Sequence, residues 1–126
     1  AIAIAFAIVY CCIASGIYFS QLAVVVPGMF AGTVNEKHVF YFKGKTFLVA
    51  VDTLGYVFMS VSTFVACFAF RENKNHPWLY RWLLFNGLLA PVILVAFFIP
   101  ALIYGGALWM ITFPAAMFKL YQLFKK

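Results

Sequence analysis

The stretch from Thr46 to Phe70, TFLVAVDTLGYVFMSVSTFVACFAF, is an unbroken apolar run that holds one carboxylate, Asp52. About twenty apolar residues in a helix cross roughly 30 Å of hydrocarbon, so the run is long enough to span a bilayer. Lipid offers no hydrogen bonds, so the backbone must satisfy itself within the segment, and a helix does this where an open strand cannot. An ionisable group inside such a run needs a partner or a hydrated space. Asp52, Tyr56, Ser60 and Thr63 fall on one stripe at helical spacing, with Gly55 and Ser62 close by, so this helix carries a polar side.

Composition extends that reading to the whole chain. Of its 126 residues 67% are hydrophobic, 21% aromatic and 10% charged, with a mean hydropathy of +1.03. A soluble domain of this size could not hide so much apolar surface in one core, whereas lipid solvates it on every side. Continuous runs, rather than short alternating segments, exclude a transmembrane barrel. The predicted fold is all-α: one transmembrane domain, residues 1–126, forming an up-and-down bundle of four helices over residues 1–27, 46–70, 78–98 and 101–124. The net charge of +6 comes from nine basic residues spread over loops and helix ends, the membrane-flanking pattern rather than a nucleic-acid footprint.

The first run, AIAIAFAIVYCCIASGIYFSQLAVVV, is already hydrophobic at Ala1 and continues past Ser20, too long for the core of a signal peptide. Residues preceding Ala1 are expected in the natural protein. Cys12, Gly16 and Ser20 recur every fourth residue and predict a helix-packing face, with Gly105 serving the same purpose in the fourth helix. VPGMFAGT, from Val26 to Thr33, supplies the breakers that end the first helix around Pro27 to Gly32. The loop after it sets Val39, Phe40, Tyr41 and Phe42 beside Lys43 and Lys45, a composition suited to lying at headgroup level.

The second loop leads through Pro77 into Trp78, Tyr80 and Trp82, an interfacial belt. Pro91 frees the carbonyl of Gly87 and predicts a kink in the third helix, and Pro114 does the same to Met110 in the fourth. The turn at Pro100 is so short that the third and fourth helices must be antiparallel. Lys37, Lys43 and Lys45 lie at one membrane face; Arg71, Lys74, Arg81, Lys119, Lys125 and Lys126 lie at the other. The positive-inside rule makes the second face, with the C-terminus, cytoplasmic.

Depth along the helices predicts two polar clusters. Asp52 lies about 9 Å below the outer end of its helix, level with Ser20, Gln21 and Tyr104, and these donors, with Tyr56 beside it, are expected to receive it. Asn86, Thr63 and Thr112 each lie about two turns from the cytoplasmic face and are expected to hydrogen-bond there.

No catalytic motif, paired carboxylates or metal-ligand spacing occurs. His38 and His76 fall in different loops outside the apolar runs, and Cys11, Cys12 and Cys67 lack redox spacing, so neither metal nor cofactor is expected. The strings DTLGYVFMS (Asp52 to Ser60), NGLLAP (Asn86 to Pro91) and GALWMITFPAA (Gly106 to Ala116) resemble small bacterial multi-pass inner-membrane proteins, a likeness over the second to fourth helices that implies no activity. It would place the chain in the bacterial inner membrane. The function expected is that of a non-catalytic accessory or assembly subunit, or a homo-oligomer, with the lipid bilayer and other membrane subunits or itself as partners, and no nucleic acid. Two alternatives stand beside it: a small transporter or channel subunit using Asp52, and a lipid-binding or lipid-modifying protein gripping headgroups with its aromatic loop and terminal lysines.

Overall fold

The computed structural model describes residues 1–35, 38, 40, 41, 43–72 and 77–125, with 100, 103 and 106 by backbone only. Loop residues Glu36, Lys37, Val39 and Phe42, then Lys74 and His76, and the terminal Lys126 lie outside the described residues. The described chain is helical, without strands. Three helices are long and apolar enough to cross a membrane: Ile2–Phe30, Phe47–Ala69 and Pro77–Ala96.

The first of these runs as α1 (Ile2–Ser20), a π-helical turn (Gln21–Val25) and α2 (Val26–Phe30). It passes through Pro27 and ends at Phe30, inside the Pro27 to Gly32 stretch where the sequence places its end. What lets it pass is the π turn just before the proline, closed by the Val26 N–H on the Gln21 carbonyl. A wider turn makes room for a ring and a missing N–H that would break a regular helix. The helix stops at Gly32, whose φ of 69° is the left-handed conformation that suits glycine. Thr33 and Val34 N–H groups then both donate to the Gly28 carbonyl, at 2.9 and 3.1 Å.

α3 (Phe47–Ala69) is regular throughout, with Thr46 as its extended N-cap residue. The third segment divides at Leu89 into α4 (Pro77–Leu88) and α5 (Ala90–Ala96). This is the kink that Pro91 requires, and the Leu89 N–H turns to the Asn86 carbonyl at 3.3 Å instead of reaching one residue further back. The fourth segment is not the single helix of the sequence reading. It comprises a 3₁₀ turn (Pro100–Leu102), α6 (Ile103–Ala107) and α7 (Trp109–Phe124), divided where the Leu108 N–H bonds Gly105 at 3.2 Å. Gly105 and Gly106, poor helix formers, precede the division, whereas Pro114 is carried inside α7.

The four segments pack in chain order, each antiparallel to the last: α1 on α3, α3 on α4 and α5, α4 on α7, and α5 on α6. α1 makes no close backbone approach to α6 or α7. The tightest crossing is between α3 and α4, where a Cβ on Gly87 would stand 2.5 Å from the Phe64 Cβ and 2.7 Å from its Cα. Below it Cys67, Leu79, Leu83 and Ala116 form the apolar core, joined by half-buried Phe70, Trp82 and Leu120.

The predicted packing glycines and small residues divide. Gly105 meets Val92 of α5 at 3.2 Å, but Gly16 faces open space and Cys12 is exposed. The face of α1 that does pack on α3 is elsewhere on its circumference. Phe6 stacks on Phe58 at 5.9 Å, and Tyr10 and Ile13 close over Gly55.

Candidate functional site

The α3 stripe places its polar side chains along about 16 Å of helix, from Asp52 to Thr63. At the lower end Thr63, Asn86 and Thr112 meet, all three buried. Asn86 Nδ2 donates to Thr63 Oγ1 at 2.9 Å, and Thr112 Oγ1 donates to Asn86 Oδ1 at 2.8 Å. Thr63 passes its own proton to the Ser60 carbonyl at 2.9 Å. A fully buried amide is thus bonded on both its oxygen and its nitrogen, tying α3, α4 and α7 together at one level.

At the upper end the expected donors go elsewhere. Ser20 Oγ donates to the Gly16 carbonyl at 2.8 Å, and Gln21 Nε2 donates to the Phe40 carbonyl at 3.2 Å, which anchors the loop. Tyr104 is 82% exposed. α6 packs on α5, away from α1, and the pairs Ala3–Ser62, Tyr10–Tyr56 and Ile13–Gly55 carry Ser20 and Gln21 about a turn or more past the level of Asp52.

One turn below Asp52 on the same face of α3 stands Tyr56, against which Tyr10 of α1 and Trp109 of α7 pack. The rings form a continuous chain from α1 to α7. Tyr10 and Tyr56 centroids are 6.1 Å apart, Tyr56 meets Trp109 edge-on at 4.9 Å, and Trp109 stacks on Phe113 at 4.6 Å. Tyr10 and Trp109 were not picked out from sequence as neighbours of Tyr56. The signal available was their depth, since α1 runs antiparallel to α3, but phenol and indole side chains also fit an ordinary lipid-facing surface.

Three polar groups around Tyr56 stay unanswered. Asp52 is half-buried and accepts no hydrogen bond or ion pair among the described residues. Ser60 Oγ, one turn below Tyr56, and Trp109 Nε1 are buried without a partner. Native interiors satisfy most such groups, so the buried Ser60 hydroxyl and Trp109 N–H are exceptions here. No group of three or more His, Cys, Asp or Glu side chains capable of holding a metal occurs among the described residues.

Comparison with protein-family models, curated proteins and solved structures returns no match. The functional reading therefore rests on the residues themselves.

Proposed function

We propose that the chain is a multi-pass membrane protein of four spans, without catalytic activity of its own, that acts by helix association. Its role is that of an accessory or assembly subunit of a membrane complex, or of a homo-oligomer. The observation that carries this is α1, in which Ile17 alone is buried, while Cys12 is exposed and Gly16 has nothing within 4 Å of its Cβ position. On the outer side, Ala7, Cys11, Cys12 and Ser15 line a shallow groove between Ile4 and Ile8. Helices in lipid gain little from mere apolarity and associate where small side chains let backbones approach, and this groove has that composition.

Extensive exposure of large apolar side chains, among them Phe19, Leu22, Phe30, Met110 and Ile111, supports insertion in a bilayer. Arg81 lies over the Trp78 ring at 5.1 Å and Lys125 over Tyr121 at 5.9 Å, a basic, aromatic end that suits the cytoplasmic face of a bacterial inner membrane. Impermeant maleimide should then label cysteine placed at Glu72 from the cytoplasmic side and at Asn35 from the outside.

The test of association is purification in a non-ionic detergent. The expected result is a defined complex heavier than one 14.2 kDa chain, which Gly16→Leu dissociates. A single-chain species indifferent to Gly16→Leu refutes the proposal. A second reading, a small transporter or channel subunit working through Asp52, is favoured by that carboxylate's lack of a partner. Ion-coupled flux in liposomes that disappears in Asp52→Asn supports it, and absence of flux from the wild type sinks it.

A further inference from the structure

We propose that the outward face of α7 is a binding site for one anionic phospholipid, with an acyl chain lying along Pro114 and Phe118 and the phosphate held by Lys125 and Gln122. The inference rests on the bilayer reading above and adds to it the class of lipid and the residues that select it.

One side of α7 is committed to the bundle: Ala116, Leu120 and Leu123 belong to the core that α4 builds with Leu79 and Leu83. Half a helix turn away, Pro114, Phe118, Tyr121 and Lys125 follow one another at steps of four, three and four residues, on a single exposed stripe. Phe118, Tyr121, Gln122 and Lys125 line an open groove of about 460 Å³ on that stripe. From Phe118 to Lys125 it covers about 10 Å of helix, and a headgroup layer is about 5–8 Å deep. One end of the groove therefore lies among acyl carbons while the other reaches the phosphates.

The polar end is arranged for an anion. Lys125 Nζ stands over the Tyr121 ring at 5.9 Å, which keeps the ammonium at the groove. Lys119 Nζ donates to Gln122 Oε1 at 3.2 Å, so the amide oxygen is engaged and the amide nitrogen is the group Gln122 offers a ligand. Both groups donate, and phosphate oxygens accept.

Charge then selects the headgroup. Arg71, Arg81 and Lys119 are the chain neighbours of Phe70, Trp82 and Leu120, which pack on one core, so these cations gather at the same end as Lys125. Of the 3 acidic residues only Glu72 falls in the loop there. A choline or ethanolamine headgroup would bring a further cation into this field, whereas a glycerol headgroup leaves the phosphate charge uncompensated. A free anion would leave the apolar half of the groove empty. A second copy seated by two-fold symmetry would set Lys125 against Lys125.

Native mass spectrometry of the full chain, released from maltoside micelles holding equal amounts of dioleoylphosphatidylglycerol and dioleoylphosphatidylcholine, reads the selection. One lipid should be retained per chain, with phosphatidylglycerol favoured about fivefold or more. Lys125→Gln should lower that preference about fivefold, Lys125→Arg should keep it, and Lys45→Gln, which removes the same charge from the opposite end, should leave it unchanged. Phe118→Ala should weaken retention of both lipids alike, since it spares the phosphate end. Acetic anhydride footprinting repeats the test without a substitution: phosphatidylglycerol should protect Lys125 and phosphatidylcholine should not. Equal retention of the two lipids, an unchanged preference in Lys125→Gln, or displacement of the lipid by glycerol 3-phosphate overturns the proposal, as does a lipid-free dimer that Phe118→Ala dissociates. Release of the chain from vesicles by alkaline carbonate would overturn the bilayer reading and this inference with it, whereas a chain that stays integrated but does not discriminate between the lipids overturns this inference alone.

Discussion

Replacing Asn86 by alanine removes two interhelical hydrogen bonds at once, the 2.9 Å bond to Thr63 and the 2.8 Å bond from Thr112. Interhelical bonds in membrane proteins are worth about 0.6–1.7 kcal/mol each, which sets the loss at about 1–3 kcal/mol. Two features hold it within that range. Thr63 keeps its bond to the Ser60 carbonyl at 2.9 Å, and Thr112 has the Trp109 carbonyl at 3.4 Å to fall back on, so neither hydroxyl proton is stranded. Asn86→Asp, although closer in shape, should cost more than alanine, because it places a carboxylate where the amide is 0% exposed and faces Thr63 Oγ1 with an acceptor in place of a donor. Equilibrium unfolding in mixed micelles, titrated with dodecyl sulfate and followed by circular dichroism, measures both. Thr112→Val alone should cost about 1 kcal/mol, and the double variant should show coupling of similar size. Coupling below about 0.3 kcal/mol, or an alanine variant as stable as wild type, would refute the claim that this triad joins three helices.

Gly87→Ala should destabilise by about 1–3 kcal/mol in the same titration, since its Cβ would lie 2.5 Å from the Cβ of Phe64 and the two backbones must part. A neutral result would mean that α3 and α4 cross less closely than described. Ser62→Ala removes the 2.7 Å bond to the Ala3 carbonyl, the polar tie between α3 and the start of α1. Amides in the first half of α1 should exchange hydrogen faster while those of α4 are unchanged, and uniform acceleration across all helices would count against a local tie.

The sequence by itself determined the local and one-dimensional properties of this protein. The apolar runs and the 3.6-residue period place helices over 46–70 and 78–98, within two residues of the observed Phe47–Ala69 and Pro77–Ala96, put Asp52, Tyr56, Ser60 and Thr63 on one stripe, and bring Asn86, Thr63 and Thr112 to one depth. Depth follows from counting residues along each helix, and for the triad it was enough, because neighbouring antiparallel helices joined by short connections have to face one another. Tertiary structure alone decided azimuth and neighbourhood. Ser20, Gln21 and Tyr104, counted from sequence to the height of Asp52, go elsewhere: Ser20 bonds its own helix, Gln21 bonds the Phe40 carbonyl and Tyr104 is exposed. Gly87, rather than Gly16, receives the closest helix crossing. In a soluble protein the contrast between apolar and polar faces would have marked the inner side of each helix. Here the outer surface is as apolar as the core, so that contrast vanishes, and which face turns inward is settled by steric fit and a few hydrogen bonds between side chains far apart in the chain.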